Sequence, residues 1–491
     1  MSSRTSIALI LTTSCLAAVT QGYDASMMNG LNLLPSYTDY FKLNSVTLGL
    51  NTAAIWIGGT LATFPFGPIM DKWGRKPGLY IVSVLTVFAA IIQSASQNVA
   101  MFAIARILIG FAIAGVALIC PAYVAETLPP HWRATGLGIL NSIFYIGGLI
   151  AAAVTYGTST IESTWAWRIP SLLQGVFAIV SIAVLPFIPE SPRFLQSKGR
   201  TEEAIQALAI LNSNGDINAA TVVDQYEEIK LTLEWEKNQH VLSLKHIVRQ
   251  PSLRKRINLT ISVALIVALS GNNIVSYYFG TMLSQAGITS TNTQLVINVV
   301  LNVFCFVCAM AGTFLSDKMG RRPLALTSCV SQTAFLFAVG ALTKVYGTTD
   351  DKSGIYATVA MIFLFQGAYS FAWTPLATMY PPEVLNYSLR ALGMSIYTFC
   401  FYGSGLAVTF VFPIALDTIG WKLYMINGGW DILQTVFVAW YWVETSGLTL
   451  EGIDRVFSGN EKPLSAGELH AKGIMDDAGA YKIEVETQEK V

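Results

Sequence analysis

Long runs of hydrophobic residues dominate this chain and are separated by short polar segments. One run without any Asp, Glu, Lys, Arg or His covers residues 257–316, and others cover residues 77–105 and 353–382. About 20 apolar residues are enough for a helix to cross the hydrocarbon core of a bilayer. The pattern therefore predicts an all-α membrane protein with many spanning helices.

The hydrophobic runs divide into twelve predicted spans, six on each side of a polar insert. Their expected ranges are 6–28, 48–69, 78–97, 101–123, 135–157, 168–188, 257–283, 293–315, 323–343, 355–379, 391–415 and 421–443. The predicted organisation has four parts. Residues 1–188 form an N-terminal six-helix half, and residues 189–256 form a cytoplasmic linker with short helices. Residues 257–445 form a C-terminal six-helix half, and residues 446–491 form a cytoplasmic tail.

The two halves repeat each other's loop motifs. The segment around Asp71 recurs around Asp317, an offset of 317 − 71 = 246 residues, and Glu126 recurs as Glu383, an offset of 383 − 126 = 257. A third pair, Glu190 and Glu444, has an offset of 444 − 190 = 254. Three matched segments in the same order predict a duplicated six-helix unit, the organisation of transporters with two parallel repeats.

Composition supports the membrane class and excludes several others. Hydrophobic residues make up 53% of the chain and charged residues only 12%, against about 25% charged in a typical soluble domain. Cys305 and Cys308 have the spacing of a metal or redox motif, but no further ligands lie near them in the sequence. The four histidines lie outside the spans, and there is no phosphate-binding loop. We expect no enzyme activity, no metal or other cofactor, and no nucleic-acid partner.

Basic residues predict the orientation, because they are enriched in cytoplasmic loops. They are concentrated in the loops that follow spans 2, 4, 6, 8 and 10, namely Lys72, Arg75, Lys76, Arg133, Arg193, Lys318, Arg321, Arg322 and Arg390. The opposite loops hold few, and acidic residues balance them. Both termini are therefore expected in the cytoplasm.

Three charged residues fall inside predicted spans, where a charge is costly without a partner. Asp24 lies in span 1 and Arg106 in span 4, within the same half, and Asp431 in span 12 has no obvious partner. Pairing Asp24 with Arg106 would neutralise both. Protonation of Asp24 would release Arg106 and let the helices move, which makes the pair a candidate for proton coupling. The alternative is a static ion pair.

A second candidate group lies at the cytoplasmic helix ends, carries charges of both signs and recurs in both halves. Its members are Asp71, Arg75, Glu126, Arg133, Glu190, Arg193, Asp317, Arg321, Glu383, Arg390 and Glu444. Charges placed there can cross-link the halves in one conformation and separate in the other. Single surface pairs contribute under about 1 kcal/mol, but a duplicated set at matching helix ends favours a cytoplasmic gate.

Several motifs together resemble the sugar porter branch of the major facilitator superfamily over most of the chain. The matching segments are Gly67–Pro77, Pro121–Glu126, Pro189–Arg193, Gly320–Arg322 and Glu444–Gly447, and Trp167–Pro170 and Tyr380–Glu383 look most like fungal lactose-permease-like and hexose-transporter-like members. The resemblance implies the major facilitator fold, alternating access and a plasma membrane location. Its proton-coupled members carry an aspartate and an arginine at the positions of Asp24 and Arg106. We expect the protein to function as a monomer in contact with membrane lipid.

The family's sugar site carries over only in part. The resemblance implies substrate contacts from Gln21, Asn141, Asn272, Asn273, Tyr277, Tyr278 and Trp373. The glutamines expected before Ser270 are instead Val267 and Ala268, and the amides expected in spans 8 and 11 are Cys305 and Phe401. Each change removes hydrogen-bonding groups that would match sugar hydroxyls. The remaining site should favour a less hydroxylated ligand.

The sequence therefore predicts a proton-coupled uptake transporter for a sugar or sugar-like solute. One alternative is a transporter on the same scaffold for a polyol, an aromatic acid or another metabolite, which the fold alone does not separate. The other is a nutrient sensor that binds solute without moving it. The short predicted tail, residues 446–491, argues weakly against a sensor, which would need a longer signalling segment.

Overall fold

The computed structural model describes residues 3–238, 249–349, 351–385 and 387–446, together with residues 453, 456 and 457. Regular structure in this part of the chain is helical throughout. The N-terminal half contains eight helices: α1 (Ser3–Leu31), α2 (Pro35–Thr38), α3 (Ser45–Ala62), α4 (Phe66–Trp73), α5 (Arg75–Ser94), α6 (Val99–Thr127), α7 (Pro130–Thr158) and α8 (Trp165–Val184).

The insert and the C-terminal half continue the helical pattern. The insert contains α9 (Pro192–Ser197), α10 (Thr201–Asn212) and α11 (Ala220–Asn238). The C-terminal half contains α12 (Pro251–Leu269), α13 (Asn272–Gln285), α14 (Thr291–Met319), α15 (Arg321–Tyr346), α16 (Lys352–Val384), α17 (Tyr387–Ile419) and α18 (Lys422–Tyr441).

These helices account for all twelve predicted spans. Within the described residues, nine helical segments are long and apolar enough to cross a membrane, and one of them is the broken helix formed by α12 and α13. A tenth span is the pair α3 and α4, which meet at a 50° bend. The helices α7 and α18 complete the twelve. The predicted two-repeat helical fold is confirmed.

Glycines bring helices of the N-terminal half into direct backbone contact. Gly22 and Gly147 join α1 to α7, and Gly58 and Gly110 join α3 to α6. At each of the four positions a Cβ would lie within 2.1 Å of a carbonyl oxygen of the partner helix. Small residues allow this approach in membrane proteins, where packing rather than water drives helix association. Larger side chains at these positions would force the helices apart.

The first part of the insert packs against the N-terminal half. The backbone N–H of Ser3 donates to Asn214 Oδ1 at 2.7 Å, and the N–H of Asn214 donates to Ser3 Oγ at 2.8 Å. Asn214 lies between α10 and α11, so the start of α1 is joined to the insert. We call the end of the bundle that carries this insert and the repeated motifs the loop end, and the opposite end, where α1 ends, the far end.

Candidate functional site

Asp24 and Arg106 form a fully buried ion pair inside the N-terminal half. Arg106 Nη1 donates to Asp24 Oδ1, and both side chains are 0% exposed. Gln174 on α8 donates its Nε2–H to the same carboxylate oxygen at 2.9 Å. The carboxylate on α1 is therefore held by donors from two other helices, α6 and α8. Sequence analysis identified the pair and missed Gln174.

The pair leaves some of its hydrogen-bonding capacity unused. Asp24 Oδ2 and Arg106 Nη2 have no hydrogen-bond partner among the described residues. Arg106 Nε donates to the backbone oxygen of Asn51 on α3 at 3.4 Å, and Asn51 Nδ2 donates to the hydroxyl of Tyr37 at 3.2 Å. A buried ion pair with unused capacity is held less firmly than a fully bonded one. The Asp24–Arg106 ion pair is therefore suited to breaking and forming again.

A cavity lined by both polar and apolar residues lies between the two halves, beside the part of α1 that carries Asp24. The centres of water molecules could occupy about 60 Å³ of it. The walls come from α1 and α7 of one half and from α13, α14 and α16 of the other. Lining residues include Ser26, Asn29, Tyr145, Ser276, Asn298, Asn302, Cys305 and Gln366.

Amide side chains join the halves at this cavity. Asn29 Nδ2 donates to Asn298 Oδ1 at 3.2 Å, and Asn302 Nδ2 lies 3.4 Å from the Oγ atom of Ser26. The Nδ2 atom of Asn298 and the Oε1 atom of Gln366 are buried, and no described residue forms a hydrogen bond with either. Such groups are available to a polar ligand. Asn298 and Asn302 are four residues apart in an uncharged span, a signal that sequence analysis did not use.

Two predicted substrate residues lie at the break between α12 and α13. Asn272 accepts a hydrogen bond from the cavity residue Gln366, with 2.7 Å between Nε2 and Oδ1. Asn273 Nδ2 instead donates to the backbone oxygen of Ala268 at 3.1 Å, across the break. Asn272 is thus connected to the cavity, and Asn273 stabilises the backbone that shapes it.

The other predicted substrate residues occupy different surroundings. Tyr277 packs edge-on against Trp56 of the opposite half, with 6.3 Å between ring centroids. Tyr278 donates its hydroxyl to the backbone oxygen of Thr409 at 2.6 Å. Trp373 is fully buried and packs against Trp442 within the C-terminal half, away from the cavity lining. Its indole N–H finds no hydrogen-bond partner in the part of the chain that the structure describes.

Gln21 is half-buried on α1, one residue before the cavity residue Gly22. The side chain of Asn141 lies outside the described residues. The substrate assignments for these two positions stay predictions, as do those for the tyrosines, the asparagines and the tryptophan.

The apolar residues that replace expected amides fall into two groups. Val267 packs into the apolar core of the C-terminal half with Trp373. Phe401 packs against Trp56 across the halves, with 5.4 Å between centroids, whereas Cys305 lines the cavity itself. Of these three positions, only Cys305 lies where the loss of an amide directly changes the cavity wall.

The cavity is bounded on both sides by contacts between the halves. Toward the far end, Asn32 Nδ2 donates to the backbone oxygen of Tyr277 at 3.1 Å. The N–H of Phe279 donates to Asn29 Oδ1 at 3.2 Å. On the other side, the Tyr145 hydroxyl donates to Ser370 Oγ at 2.8 Å. The halves are therefore joined on both sides of the cavity in this conformation.

At the loop end of the N-terminal half, two carboxylates organise the motif residues. Arg75 Nη2 lies 2.8 Å from Glu126 Oε1, and Ser191 Oγ donates to Glu126 Oε2 at 2.5 Å. Glu190 accepts backbone N–H bonds from Arg75, Lys76 and Ser191 at 2.7–3.2 Å. Burial raises the pKa of Glu190, while these N–H donors oppose the shift.

The C-terminal half repeats this arrangement, with a second bond from its arginine to the carboxylate. Arg321 binds Glu383 through Nη2 at 2.9 Å and Nε at 3.2 Å, and Thr445 Oγ1 donates to the same carboxylate at 2.7 Å. Glu444 accepts the backbone N–H bonds of Arg321 and Arg322 at 2.8 and 3.0 Å. The sequence repeat therefore reflects one structural unit that is present twice.

In this conformation, the hydrogen bonds described above for the motif carboxylates join helices within one half. Asp71 is exposed, and Arg193 is half-buried at the start of α9. The side chains of Arg133, Asp317 and Arg390 lie outside the described residues. Cross-linking of the halves by these charges stays a prediction.

Two six-helix repeats, a buried ion pair and a polar cavity between the halves define a membrane transport protein of the major facilitator type. The sequence profile of the family described as "Sugar (and other) transporter" matches residues 10–457. The chain therefore belongs to this family of transporters, which are not enzymes.

Individual relatives are similar over most of their length. The chain is 29% identical to the high-affinity glucose transporter of Kluyveromyces lactis, over 91% of this chain and 84% of that protein. It is 26% identical to the H(+)/hexose cotransporter 2 of Parachlorella kessleri, over 89% of this chain and 84% of that protein. The inward-open structure of the xylose transporter XylE from E. coli shares the fold with a TM-score of 0.76 at 21% identity, covering 92% of this chain and 99% of XylE.

Proposed function

We propose that this protein takes up a sugar or a sugar-like solute together with a proton, by alternating access. The buried Asp24–Arg106 pair, on the same part of α1 that lines the cavity between the halves, carries this proposal. Binding sites near the midplane between two repeats are the rule in transporters of this architecture. The names of the Kluyveromyces and Parachlorella relatives support a hexose and a proton as the transported species.

Coupling would work through the donors that hold Asp24. When the carboxylate is ionised, Arg106 and Gln174 tie α1 to α6 and α8. A proton on Asp24 removes the negative charge and with it most of the attraction to Arg106. The end of α1 that carries Asn29 is then free to move relative to α14. Proton binding and opening of the cavity thereby favour one another.

The cavity chemistry supports a solute with fewer hydroxyls than a hexose as a second candidate. Cys305 stands in the wall where relatives place an amide, and the amides present, including Asn298 and Asn302, lie one or two turns away. The family description itself extends to solutes other than sugars. An aromatic acid or another metabolite that needs few hydrogen bonds there fits this wall.

The remaining assignments complete the proposal. The basic residues at the loop end support a cytoplasmic location for that end and for both termini. The plasma membrane is the expected location, and the monomer, surrounded by lipid, is the expected functional unit. The motif charges at the loop end, with Arg133 and Arg390 among them, form the cytoplasmic gate.

The test is uptake by a yeast strain that lacks its own hexose transporters and expresses this chain. Radiolabelled D-glucose, D-xylose, myo-inositol and an aromatic acid are offered with and without a proton gradient. We expect weak or absent glucose uptake and accumulation of a less hydroxylated solute that a protonophore abolishes. Efficient glucose uptake would show that the cavity interpretation is wrong and leave the transporter assignment intact.

The Asp24→Asn variant provides the coupling control. It should lose accumulation against a gradient but keep part of its exchange of labelled for unlabelled solute at equal pH, because the amide mimics the protonated acid. An Asp24→Asn protein that still concentrates its substrate would exclude Asp24 as the coupling site. Binding of solute without any uptake or exchange in the unmodified protein would favour a sensor.

A further inference from the structure

A second acidic residue is buried inside the membrane region of the C-terminal half. Asp431 lies near the middle of α18 and is 2% exposed. Neither of its carboxylate oxygens has a hydrogen-bond partner among the described residues. An ionised carboxylate in this position would be costly, because the described residues give it neither a cation nor a donor within hydrogen-bond distance. Asp24, by contrast, has both.

The groups that surround Asp431 are neutral. Asn427 lies beside the carboxyl group, one turn earlier on α18, without reaching hydrogen-bond geometry. Cys329 of α15 faces the carboxyl group from the adjacent helix. On the helices packed against α18, the charged residues stand within two turns of a helix end: Arg254, Lys255 and Arg256 on α12, Arg321, Arg322 and Lys344 on α15, and Arg390 and Asp417 on α17. The tyrosines Tyr397 and Tyr402 of α17 are engaged with Ala377 and Trp56.

The internal repeat sets this acid apart from Asp24. Arg106 lies on the same helix as Glu126, and the offset of 257 that relates Glu126 to Glu383 turns Arg106 into Phe363, since 106 + 257 = 363. The C-terminal half thus has an aromatic ring where the N-terminal half has the cation.

We propose that Asp431 is a second proton-binding site, which carries a proton in this conformation and lies in the C-terminal half. The proton neutralises a carboxyl group that has no cation to pair with. The site is separate from the Asp24–Arg106 pair, which belongs to the other half and is already compensated. The proposal concerns protonation alone and does not depend on which solute is transported.

The protonated group is connected to the broken seventh span through Asn427. The amide nitrogen of Asn427 lies 2.9 Å from the position that a Cβ on Gly271 would take. Gly271 has a φ of +82° and separates α12 from α13, whose first residue Asn272 reaches the cavity through Gln366. An ionised Asp431 would attract the Asn427 N–H groups away from Gly271. Loss of the proton would therefore change the packing of Asn427 against the helix break.

Infrared spectroscopy of the full chain in liposomes, recorded as the difference between H₂O and D₂O, tests the proposal. A protonated carboxyl group in apolar surroundings gives a C=O stretching band that shifts to lower frequency in D₂O. At neutral pH we expect such a band in the unmodified protein and in Asp24→Asn, and its loss in Asp431→Asn. The control Asp417→Asn removes an acid that is bonded to Ser45 at the far end and should leave the band unchanged.

A conservative variant guards against a misfolded protein. Asp431→Glu retains a carboxyl group at the site and should keep a band at an altered frequency. Replacement of sodium by choline should have no effect, because the proposed ligand is a proton. Absence of a band from the unmodified protein, its persistence in Asp431→Asn, or its appearance only without sodium would overturn the proposal.

Discussion

Individual polar residues inside the membrane region define the chemistry of this transporter. Asp24 is held by a guanidinium and an amide from two helices, whereas Asp431 has neither. Sequence analysis identified Asp24 and Arg106 because charges are rare in apolar spans. It could not identify Gln174, because an uncharged amide is unremarkable in a span and its bond depends on how α1 and α8 cross.

The glycines of the two loop motifs lead to a prediction about stability. Gly74 has a φ of +102° and Gly320 a φ of +88°, a region that side chains with a Cβ rarely adopt. A Cβ there would lie 2.4 Å from Glu190 Oε2 and 2.7 Å from Glu444 Oε2. We expect Gly74→Ala and Gly320→Ala each to destabilise the protein by about 1–3 kcal/mol through backbone strain. Thermal unfolding in detergent measures the effect.

Gly67→Ala is the matched control for this experiment. It lies in the same motif as Gly74, but nothing lies within 4 Å of the Cβ that would be added. Its unfolding temperature should equal that of the unmodified protein. Equal unfolding temperatures for all three variants would show that the turns at Gly74 and Gly320 accept a Cβ without strain.

At the scale of elements, the seventh span is the helix whose backbone break positions a residue at the cavity. Hydropathy predicted a single span over 257–283, because an uncharged run gives no indication of a break. The structure divides it at Ser270 and Gly271 into α12 and α13. Residues Ser270–Asn273 are of types that favour turns and helix ends. Averaging hydropathy over the whole span hides this local signal. The bend between α3 and α4 follows the same logic at Pro65.

Straightening this break should impair substrate binding more than folding. Gly271→Ala places a Cβ at a φ of +82° and against Asn427, so the turn must change. Asn272 then loses its position beside Gln366. We expect at least a tenfold lower affinity for whichever solute the uptake screen identifies, measured by equilibrium binding to purified protein. Each factor of ten corresponds to about 1.4 kcal/mol.

The neighbouring Gly429→Ala provides the comparison for Gly271→Ala. It lies on α18 two residues after Asn427, and its added Cβ would meet nothing within 4 Å. Its affinity should be unchanged. A Gly271→Ala protein that binds solute normally would show that the break does not position the cavity residues.

At the scale of the whole molecule, the contacts between the halves differ from those within them. Across the halves, the cavity is bounded by side-chain hydrogen bonds such as those of Asn29 and Tyr145. Within each half, buried carboxylates and backbone contacts join the helices. The repeated loop motifs and the twelve spans could be predicted from composition and periodicity. The pairing of Asn29 with Asn298 could not, because it depends on how one half is placed against the other.

Weakening opposite ends of the molecule should shift the conformational balance in opposite directions. Asn29→Ala removes two bonds that close the far end, and should raise the outward-open population. Arg133→Ala or Arg390→Ala should weaken the proposed cytoplasmic gate and raise the inward-open population. The measurement is labelling of Cys305, retained as the single cysteine, by a membrane-impermeant thiol reagent from each side.

Thr158→Ala serves as a control, since its hydroxyl bonds only within α7, to the Thr155 backbone oxygen. Its labelling pattern should match that of the parent protein. Unchanged labelling in both arginine variants would show that these charges are solvated surface rather than a gate. A shift in the same direction for Asn29→Ala and the arginine variants would contradict the two-ended mechanism.

The glycine pairs that bring α1 against α7 and α3 against α6 have a consequence for the surrounding lipid. Because these helices touch backbone to backbone, their separation within the N-terminal half has little freedom to respond to the thickness of the bilayer. Hydrophobic mismatch is then relieved mainly by tilting one half relative to the other. Acyl chain length should accordingly influence how fast the protein reorients, while the geometry of the Asp24 site remains the same in thin and thick membranes.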